Sequence, residues 1–187
     1  MIEMPLGVDG AVLRQLEPWR AEEFLAHMDR GREFIGRYIG IADAVTDLAS
    51  SREFLRSYAE RTAADTARIW GIWVDGTLLG GVLFRVMNIG MGTAEAGCWL
   101  EPAGVGRGLV TTASRLIIDW AIRERGVYRV EWLASAGNAA SIAVAGRLGM
   151  SRDGVLRAAY PHRGRRHDVE VWSVLAPEWT VEAGGPQ

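Results

Sequence analysis

Hydrophobic residues alternate with polar or small ones in several stretches of the chain, and each such stretch predicts a β-strand. Asp75-Gly76 joins two of these stretches as a tight hairpin, because both residue types tolerate the positive φ of a two-residue turn. The first half of the chain therefore predicts antiparallel strands, at residues 12–16, 68–74, 77–87 and 93–100.

Two helices are predicted between the first of these strands and the others. Pro18 suits a first helical turn, and the helix that it opens is expected to run to about Met28. A second helix is predicted to open at Ser50, where Glu53 three residues later gives the spacing of a capping box. The stretch 31–40 mixes aromatic residues, glycines and arginines and predicts no regular element.

After residue 100 the hydrophobic period becomes helical. A helix is predicted from Leu109 to the cap at Gly126, and a shorter one from Asn138 to Gly149. A strand at 128–133 separates the two helices, and a hairpin formed by 155–160 and 169–175 closes the chain. This order predicts an α/β fold with a mixed, mostly antiparallel sheet of about seven strands flanked by helices. We expect a single domain, 1–187, with a loose tail from about residue 177.

Composition narrows the possible functions. The net charge of −2 calls for no nucleic acid, and the absence of a long apolar run or a signal-peptide pattern predicts a cytoplasmic protein without a membrane partner. One cysteine excludes an intrachain disulfide, and three histidines are a poor inventory for a metal site, so we expect no metal. All 21 basic residues are arginine, which excludes a lysine Schiff base and a phosphate loop that needs lysine.

A glycine-rich turn precedes the helix that begins at Leu109. Gly104, Gly106 and Gly108 free backbone N–H groups to converge at a helix N-terminus, which suits a pyrophosphate, and Arg107 adds charge at the rim. The alternative is a tight turn that merely needs glycine. The spacing is not that of a dinucleotide-binding loop.

A second motif follows about thirty residues later, at Asn138-Ala-Ala-Ser141 and Arg147-Leu-Gly-Met. By itself it is explained by helix capping. Together, the two motifs resemble the GNAT acyltransferase superfamily, and most closely its RimJ/RimL-like branch of ribosomal-protein N-terminal acetyltransferases. The resemblance covers Leu13 to Leu175 and implies the GNAT fold.

The resemblance implies acetyl-CoA as the co-substrate. Trp99 and Leu100 would pair by their backbones with the pantetheine arm, Asn138 would contact the same arm, and Ser141 would lie near the thioester sulfur. The backbone amides that would hold the pyrophosphate are those of Val105, Gly106, Arg107, Gly108, Leu109 and Val110. Two positions depart from the family's pattern: Ala103 replaces a frequent Gln or Arg, and Ala134 replaces a cysteine found in some relatives.

The implied reaction is attack of a neutral amine on the thioester carbonyl. The Leu100 N–H would stabilise the oxyanion, and the Ser141 hydroxyl would protonate the leaving thiolate. Glu95 is the first candidate for a general base, with an arginine-paired structural carboxylate as the alternative, and Glu131 is the second candidate. His27 is predicted at the helix surface, with a place near the acceptor pocket as the alternative.

The resemblance leaves the acceptor open. It is a protein N-terminal amine or a small-molecule amine, such as an antibiotic that the enzyme would detoxify. A succinyl donor and a non-catalytic acyl-CoA-binding module are further alternatives. An exposed sheet edge would permit a homodimer.

Overall fold

The computed structural model describes residues 3–8 and 10–180. They form one eight-stranded sheet with helices on both faces. The strands are β1 (Met4–Pro5), β2 (Ala11–Gln15), β3 (Arg68–Val74), β4 (Thr77–Asn88), β5 (Thr93–Leu100), β6 (Arg129–Ser135), β7 (Ser151–His162) and β8 (Arg165–Leu175). The helices are α1 (Ala21–Ile35), α2 (Ile41–Ala44), α3 (Leu48–Ala63), α4 (Leu109–Arg125) and α5 (Ala139–Arg147).

The sheet is mixed and mostly antiparallel, as predicted, in the order β1-β2-β3-β4-β5-β6-β8-β7. Among the described strands, β5 and β6 form the one parallel pair. They are joined by α4, because a parallel connection requires a crossover that returns the chain to the same end of the sheet. The predicted strand count of about seven omits β1, which is only two residues long.

Two hydrophobic clusters hold the helices against the sheet. Helices α4 and α5 pack on one face, where Phe84, Ile117 and Trp132 are buried. Helices α1 and α3 pack on the other face around Phe24 and Leu55. Successive residues of a strand face opposite sides of the sheet, and strands β3, β4 and β5 contribute to both clusters. None of the helices in the described residues is long and apolar enough to cross a membrane.

Three local predictions are corrected by the structure. Helix α1 continues to Ile35 rather than ending near Met28, and the short helix α2 was not predicted. Helix α3 begins at Leu48 with Asp47 as its N-cap; Ser50 completes the capping box from inside the helix.

The predicted loose tail also changes. Trp179 packs against the cluster beneath α4, and its indole N–H donates to Asp119 (3.3 Å). The chain is therefore fastened to the fold two residues beyond the predicted start of the tail at about 177. Residues 181–187 lie outside the described residues.

Candidate active site

Strands β5 and β6 pair over a short distance and then separate. The parallel register runs from Thr93 opposite Arg129 to Ala96 opposite Trp132. Beyond this point β5 continues against β4 as far as Leu100, while β6 continues against β8. The sheet therefore forks at its centre, and a cleft of about 1270 Å³ lies in and around the fork.

The backbone of Leu100 is open toward this fork. Glu101 donates its N–H to the carbonyl of Leu79 (2.8 Å), and the register places Gly80 opposite Leu100. In an antiparallel ladder this combination makes Gly80 and Leu100 a non-hydrogen-bonded pair, so the N–H and C=O of Leu100 point away from β4. Because β6 has separated at this level, both groups face the cleft. Leu100 thus has the open N–H that the predicted role requires.

Trp99 has the opposite orientation. Its backbone lies at the hydrogen-bonded position opposite Gly81, and its buried side chain lies on the α1 face of the sheet. Of the two residues predicted to pair with the pantetheine arm, Leu100 therefore offers its backbone to the cleft and Trp99 does not. Cys98 has the same ladder position as Leu100 and exposes its backbone in the same direction.

The glycine turn before α4 presents a series of open N–H groups. Gly106 and Gly108 have φ angles of +81° and +73°, a region that strongly favours glycine. Gly108 is the N-cap of α4 and contributes no side-chain hydrogen bond to it. The backbone N–H groups of 106–111 have no acceptor among the described residues, whereas that of Val105 donates to the carbonyl of Pro102 (3.2 Å). These groups and the positive end of the helix make a surface that is suited to an anion.

A basic side chain stands beside this surface, although it is not the predicted one. Arg107 is exposed and does not line the cleft. Arg147, at the end of α5, does line the cleft, and its Nε donates to Oγ1 of Thr111 (3.1 Å) in the first turn of α4. The sequence prediction used Arg147 only as part of a motif. Its contact with α4 could not be found from spacing, because the two residues lie on different helices.

Ser141 is held at the point where the strands separate. Its hydroxyl oxygen accepts the indole N–H of Trp132 (3.0 Å), the last residue paired with β5. Its backbone N–H donates to Oδ1 of Asn138 (3.2 Å), so Asn138 is the N-cap of α5. An indole only donates, so the hydroxyl proton of Ser141 is not used in this bond. Both Asn138 and Ser141 line the cleft, and Trp132 is a residue that the sequence prediction missed.

The two candidate bases are adjacent and each is paired with an arginine. Glu95 lies opposite Glu131 in the parallel register. Glu95 forms a bidentate ion pair with Arg85, and both of these side chains line the cleft. Glu131 accepts from Nε of Arg129 (3.0 Å) and does not line the cleft. The geometry thus keeps Glu95 at the site and places Glu131 outside it.

Other chemistries receive no support from the cleft. Burial raises the pKa of the Cys98 thiol to about 12, so the thiol stays protonated at neutral pH and is a poor nucleophile. Within residues 3–8 and 10–180, no three His, Cys, Asp or Glu side chains are grouped so that they could hold a metal ion.

His27 lies in the core rather than at the predicted surface position. Its side chain is fully buried between α1 and the end of β5. Nε2 accepts the indole N–H of Trp99 (3.0 Å), which places the ring proton on Nδ1, where it donates to Glu101 (2.8 Å). Arg30 completes this buried network with bonds from Nε to Glu101 (3.1 Å) and from Nη2 to the carbonyl of Leu78 (2.7 Å).

The network predicts a loss of stability in acid. Burial lowers the pKa of His27 below its ordinary value of 6.5, and the bond and charge of Glu101 offset part of this shift. Below that ordinary value the unfolded chain binds a proton that the folded protein does not, so the free energy of unfolding falls as the pH drops. We expect a lower Tm at pH 5.5 than at pH 7.5, with a smaller difference in a His27→Gln variant. Equal pH dependence of calorimetric unfolding in the two proteins would contradict this assignment.

The far side of the cleft is lined by aromatic residues from α1, the segment after it, α3 and β7. They include Phe34, Tyr38, Phe54, Tyr58 and Tyr160. The segment carrying α2 is tied to the turn between β7 and β8, because Asp43 accepts two hydrogen bonds from Arg163. This aromatic wall lines the same cleft as the fork and the glycine turn.

A forked sheet with a glycine turn beside it and a hydroxyl at the branch point fits an acyltransferase. The chain belongs to the GNAT acetyltransferase domain family, which matches residues 11–151.

Three known proteins are similar to this chain in sequence or in fold. A protein of Bacillus subtilis named as a ribosomal N-acetyltransferase, YdaF, is 29% identical over 175 residues, which cover 91% of this chain and 93% of the relative. The solved structure of RimL, a ribosomal L7/L12 α-N-protein acetyltransferase in complex with coenzyme A, has a TM-score of 0.88 at 18% identity, covering 93% of this chain and 98% of the other. The microcin C7 self-immunity acetyltransferase MccE, solved with acetyl-CoA and AMP, has a TM-score of 0.82 at 25% identity, and the match covers 89% of this chain and 93% of MccE.

Proposed function

We propose that this enzyme transfers the acetyl group of acetyl-CoA to a primary amine by direct attack on the thioester. The observation that carries the proposal is the open N–H of Leu100 in a fork whose cleft is also lined by the glycine turn and by Ser141. RimL and MccE, which share this fold, were solved with coenzyme A and acetyl-CoA respectively.

The residues of the cleft fit such a donor. The open N–H groups from Gly106 to Thr111 and the Arg147 guanidinium suit the pyrophosphate. The open backbone edge of β5 at Cys98 and Leu100 suits an amide-containing arm, which would bind as a short added strand. This assignment removes Val105 from the predicted set of amides, because its N–H is already used within the turn, and it adds Thr111.

Each proton and charge in the reaction has a place in the site. The amine nitrogen forms a bond to the thioester carbon, and the oxygen, which becomes negative, accepts from the Leu100 N–H. When the C–S bond breaks, the thiolate takes the proton of the Ser141 hydroxyl. Ser141 recovers a proton from the attacking nitrogen through solvent, so the products are an amide and a neutral thiol.

Among the acceptor amines, the proposed reaction favours one that loses its proton easily at neutral pH. At pH 7 deprotonation costs about 1.2 kcal/mol for an α-amine with a pKa near 7.9 and about 4.6 kcal/mol for a lysine with a pKa near 10.4. Glu95 is our candidate base, but Arg85 already occupies both of its carboxylate oxygens. An α-amine, at a protein N-terminus or on a small molecule, therefore suits the site better than a lysine does.

A protein N-terminal amine is our first candidate for the acceptor, supported by the ribosomal relative YdaF. A small-molecule α-amine is the second candidate, supported by the aromatic wall at Phe54, Tyr58 and Tyr160. Thiol release measured with a panel of peptides and small amines separates the two. The same assay with succinyl-CoA in place of acetyl-CoA tests which acyl donor the enzyme uses.

Acetyl-CoA is expected to stabilise the protein. At about 100 times its dissociation constant a ligand adds about 2.7 kcal/mol, which raises the Tm of a domain of this size by about 5–10 °C. NAD and ATP should raise it much less. A folded sample whose Tm does not change with millimolar acetyl-CoA would overturn the donor assignment. A sample that is stabilised but releases no thiol with any amine would be a non-catalytic acyl-CoA-binding module.

A further inference from the structure

The two residues on either side of Leu100 are fastened to the same imidazole ring. Trp99 donates its indole N–H to Nε2 of His27 (3.0 Å), and Glu101 accepts from Nδ1 of that ring (2.8 Å). The ring belongs to α1, and both contacts are in the core: His27 is 0% exposed, Trp99 is 3% and Glu101 is 4%. Trp99 and Glu101 stand two positions apart on one face of the chain, so they bracket the Leu100 peptide.

The Leu100 peptide needs such a support because it lies at an open edge. Strand β4 holds the backbone on one side, through the bond from Glu101 to Leu79 (2.8 Å). On the other side β6 has separated and offers no ladder partner at this level. A strand that is hydrogen-bonded along one edge only can rotate about that edge. Such a rotation would turn the Leu100 N–H away from the fork. Contacts from the face of the sheet oppose that rotation, and His27 supplies two of them.

The polar groups of His27 and Glu101 are not needed merely to fill the core. An imidazole and a carboxylate in the core lose their hydration, and an apolar side chain of similar volume would fill the space without that cost. Met28, the next residue of α1, does fill the core in this way and is also fully buried. Arg30 balances the charge of Glu101 from the more exposed side of the network.

We propose that His27 is a positioning residue for acyl transfer: through Trp99 and Glu101 it fixes the direction of the Leu100 N–H in the fork. The inference rests on the proposed function, which gives that N–H the oxyanion. A displaced donor loses transition-state stabilisation while substrate binding elsewhere in the cleft is retained. The role of His27 is therefore expected in kcat and not in the Michaelis constant for acetyl-CoA.

The test compares three variants with the parent enzyme. His27→Phe keeps a ring and removes both hydrogen bonds, and it should lower kcat about tenfold with less than a threefold change in the Michaelis constant. His27→Gln can restore one acceptor and one donor, and it should recover part of the loss. Ser51→Ala is the matched control, because Ser51 is fully buried and its hydroxyl bonds α1 at the Ala21 carbonyl (2.7 Å), away from β5. It should lower stability and leave kcat unchanged.

Hydrogen–deuterium exchange of the free protein gives a second readout. The peptide that contains Trp99 to Glu101 should exchange faster in His27→Phe than in the parent, and at the parent's rate in Ser51→Ala. If His27→Phe matches Ser51→Ala in both kcat and exchange, the positioning role is wrong and His27 only stabilises the core. A parent enzyme without turnover would instead contradict the proposed function, and the exchange comparison would still decide the role of His27.

Discussion

Replacing Ser141 by alanine is expected to lower kcat about tenfold to a hundredfold, with a smaller change in the Michaelis constant for acetyl-CoA. The hydroxyl meets the leaving sulfur only as the C–S bond breaks, so its loss is felt in the transition state. The cap of α5 is preserved, because it uses the Asn138 side chain and the backbone N–H of residue 141. The variant therefore removes the proton donor without removing the helix start.

Ser141→Ala has one structural cost that the control must match. It leaves the indole N–H of Trp132 without its acceptor, a loss of about 1–3 kcal/mol for a buried donor. Ser173→Ala is the matched control, because the Ser173 hydroxyl is buried and accepts from Nη1 of Arg129 (2.8 Å) outside the cleft. It should lose stability and keep kcat. If kcat is unchanged in Ser141→Ala, Ser141 is only a hydrogen-bond acceptor for Trp132 and not the proton donor of the reaction.

Replacing Gly106 by valine should abolish the binding of CoA while the fold is retained. Pyrophosphate oxygens must come within about 3 Å of backbone N–H groups, and a branched side chain in the turn blocks that approach. The φ of +81° is strained for any residue with a Cβ, and more so for a β-branched one. No atom outside the turn lies within 4 Å of the new Cβ, so we expect a loss of stability of only about 1–2 kcal/mol.

Gly126→Val separates backbone strain from ligand contact. Gly126 ends α4 with a φ of +67° and has equally open surroundings, but it lies at the opposite end of the helix from the turn. Both variants should lose similar stability in chemical denaturation. Calorimetric titration should show an affinity loss of more than tenfold, or about 1.4 kcal/mol, for Gly106→Val alone. Equal affinity in the two variants would mean that the turn does not hold the phosphates.

Elements with local signals could be predicted from the sequence. The Asp75-Gly76 hairpin forms, with φ of +47° and +77° at the two residues, and strand β3 has the predicted bounds. Helix α4 begins at Leu109 and ends before Gly126, as the flanking glycines indicated. In these cases the information lies within a few residues, because turn and cap chemistry depend on φ and on neighbouring N–H groups.

The length of α1 could not be predicted, because Gly31 is required by a contact with a distant part of the chain and not by the local backbone. The stretch that starts at Gly31 predicted no regular element, yet Gly31 lies within α1. A Cβ at this position would come within 3.0 Å of the Glu101 side chain and closer still to that of Ile35. The glycine allows α1 to approach the end of β5, and a single sequence gives no sign of that neighbour.

The same limit applies to the site. Its backbone parts follow from motifs, so the turn, Leu100, Asn138 and Ser141 could be nominated in advance. The partners that orient them could not. The contacts of Trp132 with Ser141 and of His27 with Glu101 depend on how strands and helices pack, and their spacing along the chain carries no recognisable pattern.

The ion pair between Asp43 and Arg163 joins two segments that border the aromatic wall of the cleft and are 120 positions apart in the chain. A change in the length of either segment breaks this link unless the other segment changes with it. The donor side, built from β5, α4, β6 and α5, contains neither residue. Under the proposed function, the segment that carries α2 and the turn between β7 and β8 would have to be exchanged together, as one matched cassette, to change the acceptor that the enzyme prefers.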